Sequence, residues 1–245
     1  MRSLTFIILL VLWQGAMTLF HVESYVVPQP IKIAQMLYEQ RNILLIHSVV
    51  SFTQIILGLM LGSILALLTS ILLDAFKKIE NFTLSYLIAL KNLPIFVLAP
   101  IFFIWFGYGL SSKVILITLS CYFPMTLALL DGLKHTPKHA HELLQGLPQI
   151  HYFPTLFYVR LPYAMPSFFT GLKLAFLHAP MSVIACDWIG AHSGLGYLLM
   201  LSYGRMDIEL MFAVLFLLLF YGIFLYKIAH FLQKFGTKCL HLYHT

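Results

Sequence analysis

The sequence predicts an all-α protein that crosses a membrane several times, and three observations support this fold class: composition, mean hydropathy and long charge-free runs. The chain has 245 residues, of which 60% are hydrophobic and 10% are charged, and its mean hydropathy is +0.90. A soluble domain carries about 25% charged residues, so neither a soluble enzyme nor a disordered chain fits. The unbroken apolar runs also argue against a membrane β-barrel, whose strands alternate apolar with polar residues.

Six apolar runs approach the length of about 20 residues that a helix needs to span a bilayer. The first run follows Arg2 and could be a cleaved signal peptide, but its length favours a retained helix. Residues 31–40, between the first two runs, have a helical spacing that suits the membrane interface. We predict one transmembrane domain, residues 1–245, with spans at about 4–20, 47–73, 82–107, 114–131, 162–186 and 209–228.

Basic residues are divided unequally between the two sides of these spans. Of the 15 Lys and Arg residues, nine fall on the side that contains both termini. Four fall on the other side (Lys32, Arg41, Lys113 and Arg205) and two lie within spans (Lys91 and Lys173). Because cytoplasmic loops carry the excess of basic residues, both termini are predicted to lie in the cytoplasm. The positive net charge therefore needs no nucleic-acid partner. The nine are Arg2, Lys77, Lys78, Lys134, Lys138, Arg160, Lys227, Lys234 and Lys238.

Small residues recur at every fourth position of the second span, at Gly58, Gly62 and Ala66. Such a stripe lets the backbone of a neighbouring helix approach closely, because no bulky side chain separates the two backbones. We expect the stripe to serve packing within the chain in preference to a contact between subunits.

Prolines and charges within the spans indicate a conduit rather than a membrane anchor. Proline removes a helical hydrogen bond, and the freed carbonyl group needs a partner or a water-lined cavity. A charge is costly in lipid, so it is expected to face protein or water. For the two lysines, the alternative is a side chain that snorkels to the interface. We assign a pathway or gate role to Lys91, Pro94, Pro100, Lys173 and Asp187.

The sequence contains few residues in patterns typical of catalytic or metal-binding sites. His135, His139 and His141 lie close together, but neither cysteines nor paired carboxylates accompany them, so a solvated loop is favoured over a metal site. The sequence contains no phosphate-binding glycine loop, nucleophile elbow or pair of catalytic carboxylates. We therefore predict no catalytic residue, no metal and no cofactor bound by this chain, and a partner that supplies the energy.

Several short stretches occur in a characteristic order. Residues 90–94 read Leu-Lys-Asn-Leu-Pro and residues 105–109 read Trp-Phe-Gly-Tyr-Gly. Residues 161–166 read Leu-Pro-Tyr-Ala-Met-Pro, and Asp187 precedes Gly-Leu-Gly at 194–196. Together they resemble the third span, the fifth span and the outer loop of the permease subunits of bacterial ATP-binding-cassette (ABC) importers. More narrowly, they are similar to the permeases for nitrate, sulfonate, taurine and thiamin-precursor uptake.

The segment of about 132–160 corresponds to the loop on which the ATPase docks in that family. The family pattern has Glu-Ala-Ala, a glycine six residues after the Glu, and Leu-Pro at the end. Here Leu161 and Pro162 fit the end, whereas Leu143 and Gln149 stand at the Glu and Gly positions. The resemblance implies that ATPase coupling involves Glu142, Leu143, Leu144, Gly146, Leu147, Gln149, Phe153, Leu161 and Pro162.

The resemblance also implies the type I ABC importer permease fold and a mechanism. Two permease copies in the bacterial inner membrane would form the pathway, and two cytoplasmic ATPases would bind ATP and Mg²⁺. A periplasmic binding protein would deliver a small anionic or heterocyclic solute. The ATPases and the binding protein would bind the inward- and outward-facing states of the permease with different affinities, and this difference would drive the transport cycle. The alternatives are a secondary transporter or channel, which would predict inverted repeats or several intramembrane carboxylates, and a membrane-embedded enzyme.

Overall fold

The computed structural model describes residues 2–136, 152–190 and 192–241, and within these ranges all regular secondary structure is helical. The all-α prediction is therefore confirmed. A π-helical turn at Leu156–Arg160 joins the seventh and eighth helices in chain order without a break. The helices are α1 (Arg2–Leu19), α2 (Pro30–Glu39), α3 (Arg41–Ala75), α4 (Lys77–Lys91), α5 (Ile95–Phe106), α6 (Leu110–Lys134), α7 (Tyr152–Thr155), α8 (Leu161–Gly190), α9 (Leu195–Gly204) and α10 (Ile208–His241).

Four helical segments in the described residues are long and apolar enough to cross a membrane. They are Arg41–Ala75, Leu110–Lys134, Tyr152–Gly190 and Ile208–Lys234, and they contain the second, fourth, fifth and sixth predicted spans. Shorter apolar helices occur at Ile7–Leu19, Val97–Phe106 and Leu195–Gly204. The first predicted span coincides with α1, and the number of six crossings stays a prediction.

The third predicted span, 82–107, consists of two helices in the structure, and its crossing of the membrane stays a prediction. Helix α4 ends at Lys91 and α5 begins at Ile95, with Pro94 in an extended conformation at the N-terminal cap of α5. Proline has no N–H to donate, and its ring disfavours the helical conformation of the residue before it. Pro94 therefore separates the two helices, whereas Pro100 is accommodated inside α5.

Helix α6 lies at the centre of the bundle, with α3 and α8 packed against it. Its side chains Leu116, Ile117 and Cys121 are fully buried in the main hydrophobic core. Gly171 of α8 allows a close approach to α6, because a Cβ atom there would lie 2.7 Å from the carbonyl oxygen of Pro124. The outer faces of the bundle remain apolar, with exposed side chains such as Ile104 and Phe220. Such faces suit contact with lipid or with another subunit.

Candidate functional site

A cavity of about 420 Å³ lies where the break between α4 and α5 faces the middle of α6 and α8. We call it the Lys91 cavity. Its wall is made by the last residues of α4, by Pro94, by the Pro124 region of α6 and by the α8 stretch that precedes Asp187. Its polar or kink-forming lining residues are Lys91, Asn92, Pro94, Ser120, Pro124, His178 and Ser182.

The polar groups of the Lys91 cavity are a cation, an imidazole, the carboxamide of Asn92 and hydroxyls. Lys91 and His178 are exposed, while the hydroxyls of Ser120 and Ser182 are hydrogen-bonded to each other at 2.7 Å. No carboxylate belongs to the described residues that line the cavity. The cavity can therefore hold an anionic or a neutral hydrogen-bonding solute, whereas a cationic solute would meet Lys91 without a compensating negative charge.

The structure places only two of the five predicted pathway residues at this cavity, namely Lys91 and Pro94. Pro100 lies inside α5 and does not line the cavity. The ammonium of Lys173 lies 4.7 Å from the centroid of the Tyr226 ring on α10, which is a cation–π contact. Asp187 lies beyond the cavity, at the C-terminal end of α8.

Asp187 forms a buried ion pair with Lys113 and lines a different cavity, between the end of α8 and α9, so its role in a pathway stays a prediction. The Lys113 Nζ lies 2.8 Å from Asp187 Oδ1, and the two side chains are 6% and 0% exposed. This pair joins the first turn of α6 to the last turn of α8. Sequence reasoning missed the partner, because it counted Lys113 among the loop charges of the outer side.

The Gly-Leu-Gly motif after α8 closes around the same carboxylate. Gly194 has a φ of +112° and a Cβ atom there would overlap the Asp187 side chain. Helix α3 holds the motif in place, since the Gly194 N–H donates to His47 Nδ1 at 3.0 Å and the Leu195 N–H donates to Ser51 Oγ at 2.7 Å. The resemblance-based motif thus corresponds to a compact junction of α3, α6, α8 and α9.

A second buried ion pair lies at the opposite end of α6. Arg160 donates two hydrogen bonds to Asp74, of 2.5 and 2.6 Å, and a third to the Leu133 carbonyl oxygen at 3.0 Å. The Tyr152 hydroxyl donates to Asp74 Oδ2 at 2.8 Å. We call Asp74, Leu133, Tyr152 and Arg160 the Asp74 cluster. Sequence reasoning named none of these contacts.

The predicted ATPase-coupling residues are only partly described. Glu142, Leu143, Leu144, Gly146, Leu147 and Gln149 lie outside the described residues. Phe153 is 63% exposed on α7, as a docking residue should be. Leu161 and Pro162 are partly buried at the start of α8, directly after the Asp74 cluster.

The small-residue stripe of the second span packs inside the chain. Gly58, Gly62 and Ala66 are all buried on α3. A Cβ atom on Gly58 would overlap Ile117 of α6, and one on Gly62 would lie 3.1 Å from the Thr118 carbonyl oxygen. In the described part of the chain, no group of three His, Cys, Asp or Glu side chains could hold a metal ion.

An apolar helix bundle whose mostly apolar cavity carries a few polar groups at a helix break, and whose deeply buried carboxylates are paired, has the architecture of a membrane transport protein. The family described as "Binding-protein-dependent transport system inner membrane component" matches residues 45–236. The chain belongs to this family of ABC transporter permeases and is a multi-pass inner membrane protein. The prediction from the sequence motifs is confirmed at this level.

Similar proteins support the same family. The chain is 36% identical to a probable ABC transporter permease protein of Haemophilus influenzae, over 89% of both chains. It is 33% identical to the formylaminopyrimidine transport permease protein ThiX of Halalkalibacterium halodurans, over 90% of this chain and 88% of the relative. A putative aliphatic sulfonates transport permease of Bacillus subtilis is 28% identical over 79% of this chain and 70% of its own.

Solved structures share the fold. A chain of the MetNI methionine ABC transporter in inward-facing conformations superposes with a TM-score of 0.62 at 16% identity, covering 86% of this chain and 98% of that one. A chain of an amino acid ABC transporter with histidines gives a TM-score of 0.58 at 14% identity, covering 84% and 95%. At these identities the similarity concerns the fold alone.

Proposed function

We propose that this ABC importer permease conducts a small anionic or heterocyclic solute through the Lys91 cavity. The observation that carries the proposal is the cavity itself, which combines Lys91, His178 and two serine hydroxyls without a carboxylate. It lies at a helix break, where the backbone has no continuous hydrogen-bond ladder and can line a polar space. Such a lining suits a solute that accepts hydrogen bonds or carries negative charge.

A thiamin pyrimidine precursor is the first substrate to test. The relative from Halalkalibacterium halodurans is named for formylaminopyrimidine transport at 33% identity. The sulfonate relative of Bacillus subtilis is 28% identical, and a taurine permease of Escherichia coli is 24% identical. Sulfonate and taurine therefore follow as the next solutes to test, and nitrate is retained from the resemblance of the sequence motifs.

The proposed assembly contains partners that this chain needs for transport. Cytoplasmic ABC ATPase subunits bind ATP and Mg²⁺ and dock on the segment of about 132–160. A periplasmic solute-binding protein delivers the solute to the opposite end, and a second copy of the permease completes the pathway as a homodimer. The chain itself binds no cofactor and catalyses no reaction, and both of its termini lie in the cytoplasm.

A secondary transporter or a channel is less compatible with the buried charges. Ion-coupled transport uses membrane-embedded carboxylates that bind and release the coupling ion. Here the carboxylate of Asp187 is held by Lys113 at 2.8 Å, and that of Asp74 is held by Arg160. Both carboxylates are therefore engaged by a fixed internal cation.

Reconstitution separates these functions. The permease would be coexpressed with an ABC ATPase and a solute-binding protein of the same organism, and the purified complex would be placed in liposomes. We expect ATP-dependent uptake of radiolabelled formylaminopyrimidine that requires the binding protein, with taurine, an alkanesulfonate and nitrate tested in parallel. Uptake by the permease alone, driven by a proton or sodium gradient, would refute the proposal in favour of a secondary transporter.

A further inference from the structure

The Asp74 cluster brings together four helical elements at one point. Asp74 belongs to the last turn of α3, Leu133 to the last turn of α6, Tyr152 to α7, and Arg160 to the π-helical turn before α8. π-helical turns are rare and occur frequently at functional sites. Leu133 and Tyr152 lie close to the two described chain ends that flank residues 137–151, so these two ends are bound to each other through Asp74 and Arg160.

Burial gives this cluster a defined geometry. The side chains of Arg160 and Asp74 are 10% and 4% exposed, and the guanidinium binds both carboxylate oxygens. A bidentate Arg–carboxylate pair is geometrically specific. Separating it would leave a charge unpaired in a poorly solvated place, which is strongly unfavourable. The ends of α3, α6 and α8 are thus expected to move together.

The helices that leave the cluster lead to the Lys91 cavity. Helix α8 runs from the cluster to His178 and Ser182, which line the cavity. Helix α4 begins two residues after α3 ends, is held to α6 by the Glu80–Lys134 ion pair at 2.8 Å, and ends at Lys91 in the cavity. A displacement of the cluster would therefore reach the cavity along two helices.

We propose that Asp74, Tyr152 and Arg160 are positioning residues that transmit movement of the ATPase-docking segment to the Lys91 cavity. This inference rests on the proposed function, because it needs an ATPase that moves the segment. None of the three side chains lines the cavity, so they act through α4 and α8 and not through contact with the solute.

A purely structural role would give a different result from a coupling role. Loss of stability lowers the amount of assembled complex, and with it ATP hydrolysis and uptake in equal proportion. Loss of coupling leaves the assembled complex able to hydrolyse ATP while less solute is moved for each ATP. The ratio of formylaminopyrimidine taken up to ATP hydrolysed, measured on equal amounts of complex, separates the two.

The experiment compares Asp74→Asn, Arg160→Met and Tyr152→Phe in the complete reconstituted complex. Asp131→Asn is the matched control, since Asp131 lies at the same end of α6 but its side chain is 70% exposed. We expect the three variants to bind the ATPase and to lower the uptake-to-hydrolysis ratio by roughly two- to thirtyfold, the range of known coupling effects. Tyr152→Phe should give the smallest change, because it removes only one hydrogen bond.

Two results would overturn the inference. One is an unchanged uptake-to-hydrolysis ratio in Tyr152→Phe and in whichever of Asp74→Asn and Arg160→Met forms a complex with the ATPase. If neither of these two forms a complex, the ratio measured for Tyr152→Phe decides the test. The other is an equal fall of the ratio in Asp131→Asn. A wild-type complex without ATP-driven uptake would instead refute the proposed function, and this inference with it. Partial recovery of the ratio in the double variant Asp74→Arg/Arg160→Asp would further support the role of the pair.

Discussion

Lys113 and Asp187 are 74 residues apart in the sequence and form a buried ion pair of 2.8 Å that joins the start of α6 to the end of α8. Arg160 and Asp74 form the corresponding pair at the other end of α6. The helices that carry the Lys91 cavity are therefore held by buried charges at both ends. The two pairs restrict the ways in which these helices can move relative to each other.

The Lys113–Asp187 pair predicts a large loss of stability on removal of one partner. In Asp187→Asn the ammonium of Lys113 stays buried without a counter-charge, and we expect a loss of about 3–5 kcal/mol in the free energy of unfolding. Unfolding of the purified protein in mixed detergent micelles measures it. The control is Glu209→Gln, because the Lys32–Glu209 pair is 3.4 Å long with side chains 42% and 30% exposed, and such a pair contributes at most about 1 kcal/mol.

The double variant Lys113→Met/Asp187→Leu completes this test. It removes both charges and should recover most of the lost stability, since apolar side chains of similar size often replace a buried ion pair without cost. If Asp187→Asn unfolds like the wild type and transports poorly, the carboxylate belongs to the pathway, as the sequence analysis expected.

The docking segment gives a prediction for assembly. Replacing Leu144, Leu147 and Phe153 together by Glu should abolish copurification of the ATPase, because a charged surface cannot fill an apolar groove. Phe153 alone is informative, since its side chain is 63% exposed on α7 and can be changed without disturbing the core. Tyr38→Glu on α2 serves as its control, because this side chain is 70% exposed and lies outside the docking segment. Copurification that persists in the triple variant would place the docking site elsewhere.

The apolar helices could be predicted from the sequence because membrane thickness imposes a local requirement on every span. The break at Pro94 was also readable, as its ring acts on the residue immediately before it. The two ion pairs were not readable, because their partners lie 74 and 86 residues apart and become neighbours only in the folded chain. Lys113 and Arg160 consequently looked like ordinary loop charges.

The contact of α8 with α6 predicts a steric effect at Gly171. In Gly171→Leu the new side chain would meet the Pro124 carbonyl and the Met125 backbone, so the helices must separate. We expect a loss of about 1–3 kcal/mol in unfolding free energy, the range of overpacked cores. Gly222→Leu on α10 is the control, because nothing lies within 4 Å of a Cβ atom there. Equal stability of the two variants would contradict this packing.

The positions of Lys91 and Lys173 predict that substitution by Gln changes the KM for uptake at Lys91 but not at Lys173. Lys91 lines the cavity, so Lys91→Gln should weaken transport of an anionic or hydrogen-bonding solute, with a KM for uptake raised roughly tenfold if one charged hydrogen bond is lost. Lys173 lies against the Tyr226 ring and does not line the cavity, so Lys173→Gln should leave the KM unchanged. Initial uptake rates in liposomes measure both variants at equal amounts of complex. A raised KM in Lys173→Gln alone would place the pathway on the side of α8 that faces α10. A raised KM in Lys91→Gln alone, with unchanged ATP hydrolysis, is the result expected of a residue that contacts the solute.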